Sequence, residues 1–105
     1  MEPSTNSSAS IMRARVAANI KRCRQRAGFT QSALAGRLGV SQRYVAMLEQ
    51  DARNLSIETL TRIAESLAVN ITELICDAKE LELANRAAAQ LGIELLQQHL
   101  KGQSP

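Results

Sequence analysis

Large aromatic rings are nearly missing from this sequence, which holds one tyrosine, one phenylalanine and no tryptophan, 2% of its residues. Its apolar share is nonetheless 45%, so any core must be aliphatic and rich in alanine. Two prolines, few β-branched runs and abundant Ala, Leu, Arg and Glu leave little for strands and favour helices throughout. Cys23 and Cys76 are the only cysteines and His99 the only histidine. That excludes a disulfide framework and argues against zinc, so no metal and no cofactor is expected. In a reducing compartment the two thiols read as small apolar core residues, with a redox-sensing pair as the alternative. No apolar run is long enough to cross a bilayer, and no basic-then-apolar leader precedes a cleavage site, so the expected location is the cytoplasm and no membrane partner is expected. No glycine-rich phosphate loop is present, and no serine or cysteine nucleophile has a base in prospect. The reading is therefore not an enzyme, with no catalytic residue assigned. With no second domain to house a pocket, a ligand sensor is also disfavoured.

At 105 residues there is room for one small domain with appended segments. The formal net charge is +3, but its distribution is uneven. Residues 11–67 carry ten basic and four acidic side chains, whereas residues 68–105 carry three and five. One half suits a polyanion and the other does not; a solvated basic surface without a partner is the plain alternative.

The basic half contains residues 30–50, TQSALAGRLGVSQRYVAMLEQ. Leu34, Ala35 and Leu38, then Val45 and Leu48, recur at helical spacing on either side of Gly39-Val40-Ser41. Gly39 can take the positive φ of a helix C-terminus, Val40 plugs the corner, and Ser41 is a good N-cap. Ala35 is small where two helices would cross. The outward positions of the second helix (Gln42, Arg43, Tyr44, Ala46, Met47 and Gln50) are not those of a core helix.

This pattern resembles the helix-turn-helix of the Cro and lambda-repressor-like family, the xenobiotic-response-element type of regulator. The matching residues are Gln31, Leu34-Ala35, Leu38-Gly39-Val40-Ser41, Val45 and Leu48-Glu49, and the likeness extends over residues 16–75. A helical hairpin within a bundle is the alternative reading. The resemblance implies an all-α fold: a five-helix lambda-repressor-like DNA-binding domain with a C-terminal helical extension for dimerisation. The expected organisation is an N-terminal arm over 1–10, a DNA-binding domain over 11–76, a helical dimerisation extension over 77–101 and a frayed end over 102–105.

The expected partner is double-stranded DNA, read by a helix over 41–50 lying in the major groove. Gln42 suits adenine, Arg43 guanine or a phosphate, and Ala46 and Met47 a thymine methyl; these four are the base-reading candidates. Candidates for the DNA backbone are Thr30, Gln31, Ser41, Tyr44, Gln50, Arg53 and Asn54. Packing of the Tyr44 ring against the fourth helix is the alternative for that residue. Arg24 and Glu49 occupy places where the resembled family often has a buried ion pair, and they are excluded from the reading surface. Asp51 stands where that family usually has glycine, and a carboxylate there opposes close approach of phosphate.

Along the rest of the chain, the first helix is expected over 11–27, with Val16, Ile20 and Cys23 inward and Gly28 ending it. Phe29 is expected to pack into the junction before the second helix. Ser56 with Glu58 opens a fourth helix burying Leu60, Ile63, Ala64 and Leu67, and Ile71, Leu74 and Ile75 belong to a short fifth. Beyond it, Leu81, Ala84, Ala88, Leu91 and Leu95 form a heptad-like seam, the expected dimer interface. Ala89, Ile93, Leu96 and Leu100 make a second stripe. Packing of one stripe on the first and fifth helices is the alternative, and Gly92 is expected to interrupt the segment. The function expected is a sequence-specific transcriptional regulator, a repressor or autoregulator bound as a homodimer to a palindromic operator. The alternative is an antitoxin that binds a small protein partner through its tail and represses its own operon.

Overall fold

A serine hydroxyl opens the first helix. In the computed structural model, which describes residues 7–102, Ser7 accepts a hydrogen bond from the Ser10 N–H at 3.1 Å. Helix α1 then runs Ser8–Arg26. It starts three residues before the apolar pattern does, because the cap, and not the first buried side chain, sets the boundary. Residues 1–6 of the expected arm and 103–105 of the expected frayed end lie outside the described residues.

Five further helices follow: α2 Gln31–Leu38, α3 Gln42–Leu48, α4 Ile57–Leu67, α5 Ile71–Ile75 and α6 Ala78–Gly102. The described residues are all-helical, as the composition led one to expect. Each start has a local cause. Thr30, Ser41 and Ser56 accept from the backbone N–H of Ala33, Tyr44 and Thr59 at 3.0, 3.0 and 3.1 Å. Asn70 and Glu73 form a reciprocal capping box before α5. Asp77 and Glu80 exchange the same pair of bonds before α6, at 2.7 and 3.0 Å. Gly39 closes α2 at φ 70, and Val40 N–H reaches back to Ala35 O at 3.0 Å. Helix α4 ends in the same left-handed way on Ala68, φ 55, with no glycine to announce it.

The core is a single aliphatic cluster drawn from α1 to α5 and the loop before α4. Ile20, Leu34, Leu38, Val45, Ile63 and Leu74 are fully buried at its centre, and each contributes about 1.5–3 kcal/mol by leaving water. Phe29 packs at its edge beneath the Arg37 guanidinium, 4.4 Å from the ring centroid. Two buried polar groups hold the helices in register. Asn19 on α1 donates to the carbonyls of Leu74 and Cys76 at 3.1 and 2.9 Å, satisfying the end of α5. Arg24, also on α1, turns toward α3.

Helix α6 departs from this arrangement. It is tied at its first turn, where Arg15 meets Glu80 at 2.8 Å and Asp77 at 3.6 Å. It then extends away, giving the molecule its 63 Å long axis. The expected interruption at Gly92 does not occur: α6 is one helix of 25 residues. A mid-helix glycine costs about 1 kcal/mol relative to alanine, and strong helix formers flank this one. No helix among the described residues is long and apolar enough to cross a membrane.

Candidate nucleic-acid interface

Helix α3 has a buried side and an outward side, and the division follows its sequence. Val45 and Leu48 are in the core, while Gln42, Arg43, Met47 and Gln50 at its end are exposed and Ala46 is half-exposed. Met47 is 58% exposed, which a core-building helix would not leave. The four base-reading candidates therefore share one accessible surface. Tyr44 is half-buried with its ring against the core edge, so packing occupies much of this side chain.

The outward face is held by a chain of hydrogen bonds that starts inside the molecule. Arg24 and Glu49 form a bidentate ion pair, with side chains 9% and 3% exposed. Arg24 also donates to Phe29 O at 2.7 Å. The hydrogen bond from Glu49 holds the Arg24 pKa above its ordinary value, against the opposing effect of burial. Glu49 has one further acceptor direction in use: it takes the amide N–H of Gln31 at 3.1 Å. A carboxylate can only accept, so Gln31 must turn its NH2 inward and its carbonyl outward. That carbonyl in turn accepts from the Gln42 amide at 3.0 Å. Three side chains, from α1, α2 and the C-cap of α3, thus fix the amide at the first position of α3. Gln42 keeps one amide N–H and its carbonyl oxygen for a further partner, the pair that matches adenine in the major groove.

The backbone candidates fall into two groups. Thr30, Gln31 and Ser41 lie at the starts of α2 and α3, where the hydroxyls of Thr30 and Ser41 already cap their helices. Gln50, Arg53 and Asn54 lie at the other end, in the turn leaving α3. Asn54 adopts φ 53 there, a left-handed conformation that asparagine tolerates. Asp51 does not stand alone against an approaching polyanion. It takes Arg13 at 3.1 Å and Arg53 at 2.7 Å on its two oxygens. The hydrogen bond from Arg53 chiefly, with the charge and hydrogen bond of Arg13 alongside, holds its pKa below the ordinary carboxylate value. Sequence reasoning passed over Arg13, thirty-eight residues away in the chain; no local signal joins the two.

Of the seam on α6, Leu81 is half-buried beside α1, while Ala84, Ala88, Leu91 and Leu95 are exposed. The second stripe is exposed too, with Ile93, Leu96 and Leu100 between 51% and 59% accessible. Neither stripe is covered by α1 or α5 beyond the first turns. Cys23 and Cys76 are free thiols. Burial pushes the Cys23 thiol up, away from the thiolate a reactive cysteine needs. Among the described residues no cluster of His, Cys, Asp and Glu is placed to hold a metal.

Comparison with known proteins bears on this geometry. Residues 20–74 match the family model described as helix-turn-helix. The uncharacterized HTH-type transcriptional regulator y4dJ of Sinorhizobium fredii is 36% identical over 75 residues, 71% of this chain and 97% of that protein. Antitoxin HipB of Escherichia coli O6:H1 is 36% identical over 75 residues, 71% of this chain and 76% of its own. Among solved structures, a hypothetical transcription factor from Neisseria, NHTF, superposes with a TM-score of 0.64 at 26% identity, over 79% of this chain and 97% of that one.

Proposed function

Because this chain belongs to the Cro and lambda-repressor-like helix-turn-helix family of transcription regulators, we propose that it binds DNA sequence-specifically as a homodimer on a two-fold symmetric operator. Residues 11–76 form the DNA-binding unit, with α3 in the major groove, and residues 77–101 the dimer contact. Gln42, Arg43, Ala46 and Met47 read bases. Thr30, Gln31, Ser41, Gln50, Arg53 and Asn54 position the domain on the backbone, and Tyr44 contributes through its hydroxyl. The observation that carries the reading is the bonded line Arg24–Glu49–Gln31–Gln42. It links a buried ion pair to the orientation of an exposed amide, which supports a partner for that amide. The relatives being regulators, a non-enzymatic role in the cytoplasm, where the DNA is, fits best.

Dimerisation is supported by the exposed leucines and isoleucine of α6, which a small monomer would not leave in water. Two-fold symmetry would then place half-sites about 34 Å apart or at a multiple of that spacing. Selection of bound fragments from random duplex DNA, followed by sequencing, tests the proposal. An enriched inverted repeat is the expected result; salt-sensitive binding without enrichment would remove α3 as a reader.

A second reading has one observation in its favour, the likeness to HipB, an antitoxin. In that reading the apolar face of α6 meets a different protein, and the helix-turn-helix represses the operon of the pair. Co-expression with the product of a neighbouring gene separates the two: a stable complex lost on deleting α6 favours the antitoxin.

A further inference from the structure

Asp51 is the residue least suited to a DNA-facing loop, yet it is bonded on both sides. Arg13 on α1 reaches Oδ1 through its Nε at 3.1 Å, and Arg53 reaches Oδ2 through its own Nε at 2.7 Å. Each guanidinium is thus gripped by one edge. Among the described residues, both hydrogen bonds to Asp51 use Nε and the Nη groups of these two arginines make none, and five donors per guanidinium leave several unspent. The two cations and Asn54 line one polar hollow of about 210 Å³. That hollow adjoins a larger cleft, lined by Tyr44, Met47, Gln50, Arg53 and Asn54, so it lies on the outward side of α3. The loop itself is fastened: Ala52 is buried, its N–H meets Arg13 O at 3.5 Å, and Arg53 N–H meets Asp51 O at 2.8 Å.

We propose that Arg13, Arg53 and Asn54 form a clamp for one backbone phosphate of duplex DNA, with Asp51 as its positioning residue. Two arginines converging on one site without an anion would repel each other. The carboxylate between them removes that repulsion and orders both planes, leaving a net single positive charge for a single phosphate. The favourable arrangement of forked donors is thereby preformed, so less side-chain freedom is lost on binding. Asn54, exposed and lining the same hollow, adds an amide donor to that space. The clamp rests on the DNA-binding reading, adding Arg13 and Asp51 to it.

The test uses the full-length chain and a labelled mixed-sequence duplex, since a phosphate contact ignores sequence. Affinity is measured against salt concentration for the unaltered protein and for Arg13→Ala, Arg53→Ala, the double variant and Asp51→Asn, with thermal melts to establish folding. Each arginine variant is expected to bind roughly tenfold more weakly, and to flatten the slope of log affinity against log salt by about one. Because both contact the same phosphate, the double variant, made together with Asp51→Asn so that no bare carboxylate is left beside the DNA, flattens it by about one as well, not two. Asp51→Asn is the decisive arm. Removing a negative charge beside DNA should by charge alone tighten binding; loss of positioning should weaken it several-fold. Tighter or unchanged binding by a folded Asp51→Asn protein overturns the clamp, as does an additive slope in the double variant. An unaltered chain that binds no duplex at any salt overturns the DNA-binding reading and the clamp together, whereas binding that the variants leave intact overturns the clamp alone.

Discussion

Residues 16–75 and helix α6 solve the problem of apolar surface in opposite ways. In the first region outward side chains are braced from within at two places: Gln42 by Gln31, which leans on Glu49 and Arg24, and Arg53 by Asp51. Every buried apolar side chain among the described residues lies between Val16 and Leu74. Helix α6 has a comparable supply of leucine and isoleucine but buries almost none of it, and only its first turn is anchored. The contrast separates two kinds of order. The outward surface of α3 is partly ordered by its own chain, whereas α6 leaves its apolar surface uncovered among the described residues.

The largest effect is expected where the first region is braced. Glu49→Ala strands the Arg24 guanidinium in a site 8% exposed, which costs about 3–5 kcal/mol. Denaturant unfolding measures this directly. A loss under 1 kcal/mol would mean that the ion pair is not buried in solution and that the reading face is not held from within. The same variant frees Gln31, so operator discrimination should fall even where the protein is kept folded by excess duplex.

Deletion after Cys76 sharpens the comparison from the other side. The core cluster is untouched, since it ends at Leu74, and the lost bonds from Arg15 are exposed ion pairs worth under about 1 kcal/mol. The truncated chain should therefore melt near the temperature of the full chain yet sediment as a monomer. Its affinity for a two-site operator should drop by on the order of a hundredfold as the linked second contact disappears. A truncated chain that still dimerises would move the interface off α6.

The difference between these regions also explains what could be read from the sequence. The turn at Gly39, the caps at Thr30, Ser41 and Ser56, and the apolar spacing of α2, α3 and α4 depend on residues within four positions of one another, so the helix-turn-helix was legible. The exposed face of α3 follows from the same periodicity. Of the links between distant positions, only Arg24 to Glu49 is legible, and through the family resemblance alone; Asn19 to the end of α5, Gln31 to Glu49, and Arg13 to Asp51 are made by tertiary approach that no local pattern announces. In the sequence Asp51 consequently shows its charge alone, an obstacle to phosphate. Gly92 was read by its propensity alone, although the helix formers around it outweigh one glycine. The start of α1 was missed for a smaller reason, a serine cap lying ahead of the apolar pattern.

A smaller effect is expected at the tip of the bonded line. Gln42→Ala removes an exposed amide and should leave folding stability within about 0.5 kcal/mol. It should cost about 1–3 kcal/mol of discrimination at one base pair of the selected half-site, and Arg43→Ala a similar amount at a neighbouring pair. Competition binding with single-base variants of the operator reads both. Equal loss against every sequence would assign these residues to the backbone.

The smallest effect concerns acid. Asp51 has a folded pKa below its ordinary 3.8, with the Arg53 hydrogen bond as the first cause. The stability it contributes is therefore fully present above that ordinary value and is lost as pH falls through the depressed one. Proton uptake in this window releases Arg13 and Arg53 together, because the two bonds share one carboxylate. Unfolding followed from neutral pH to below pH 3.8 should thus show an acid-side decline that Asp51→Asn reduces slightly. Deletion after Cys76 should leave that share of the decline unchanged, since α6 takes no part in these bonds. If the tail deletion removed it as well, the two regions would be coupled through α1, and the division between a braced reading surface and an uncovered helix would have to be redrawn at Arg15.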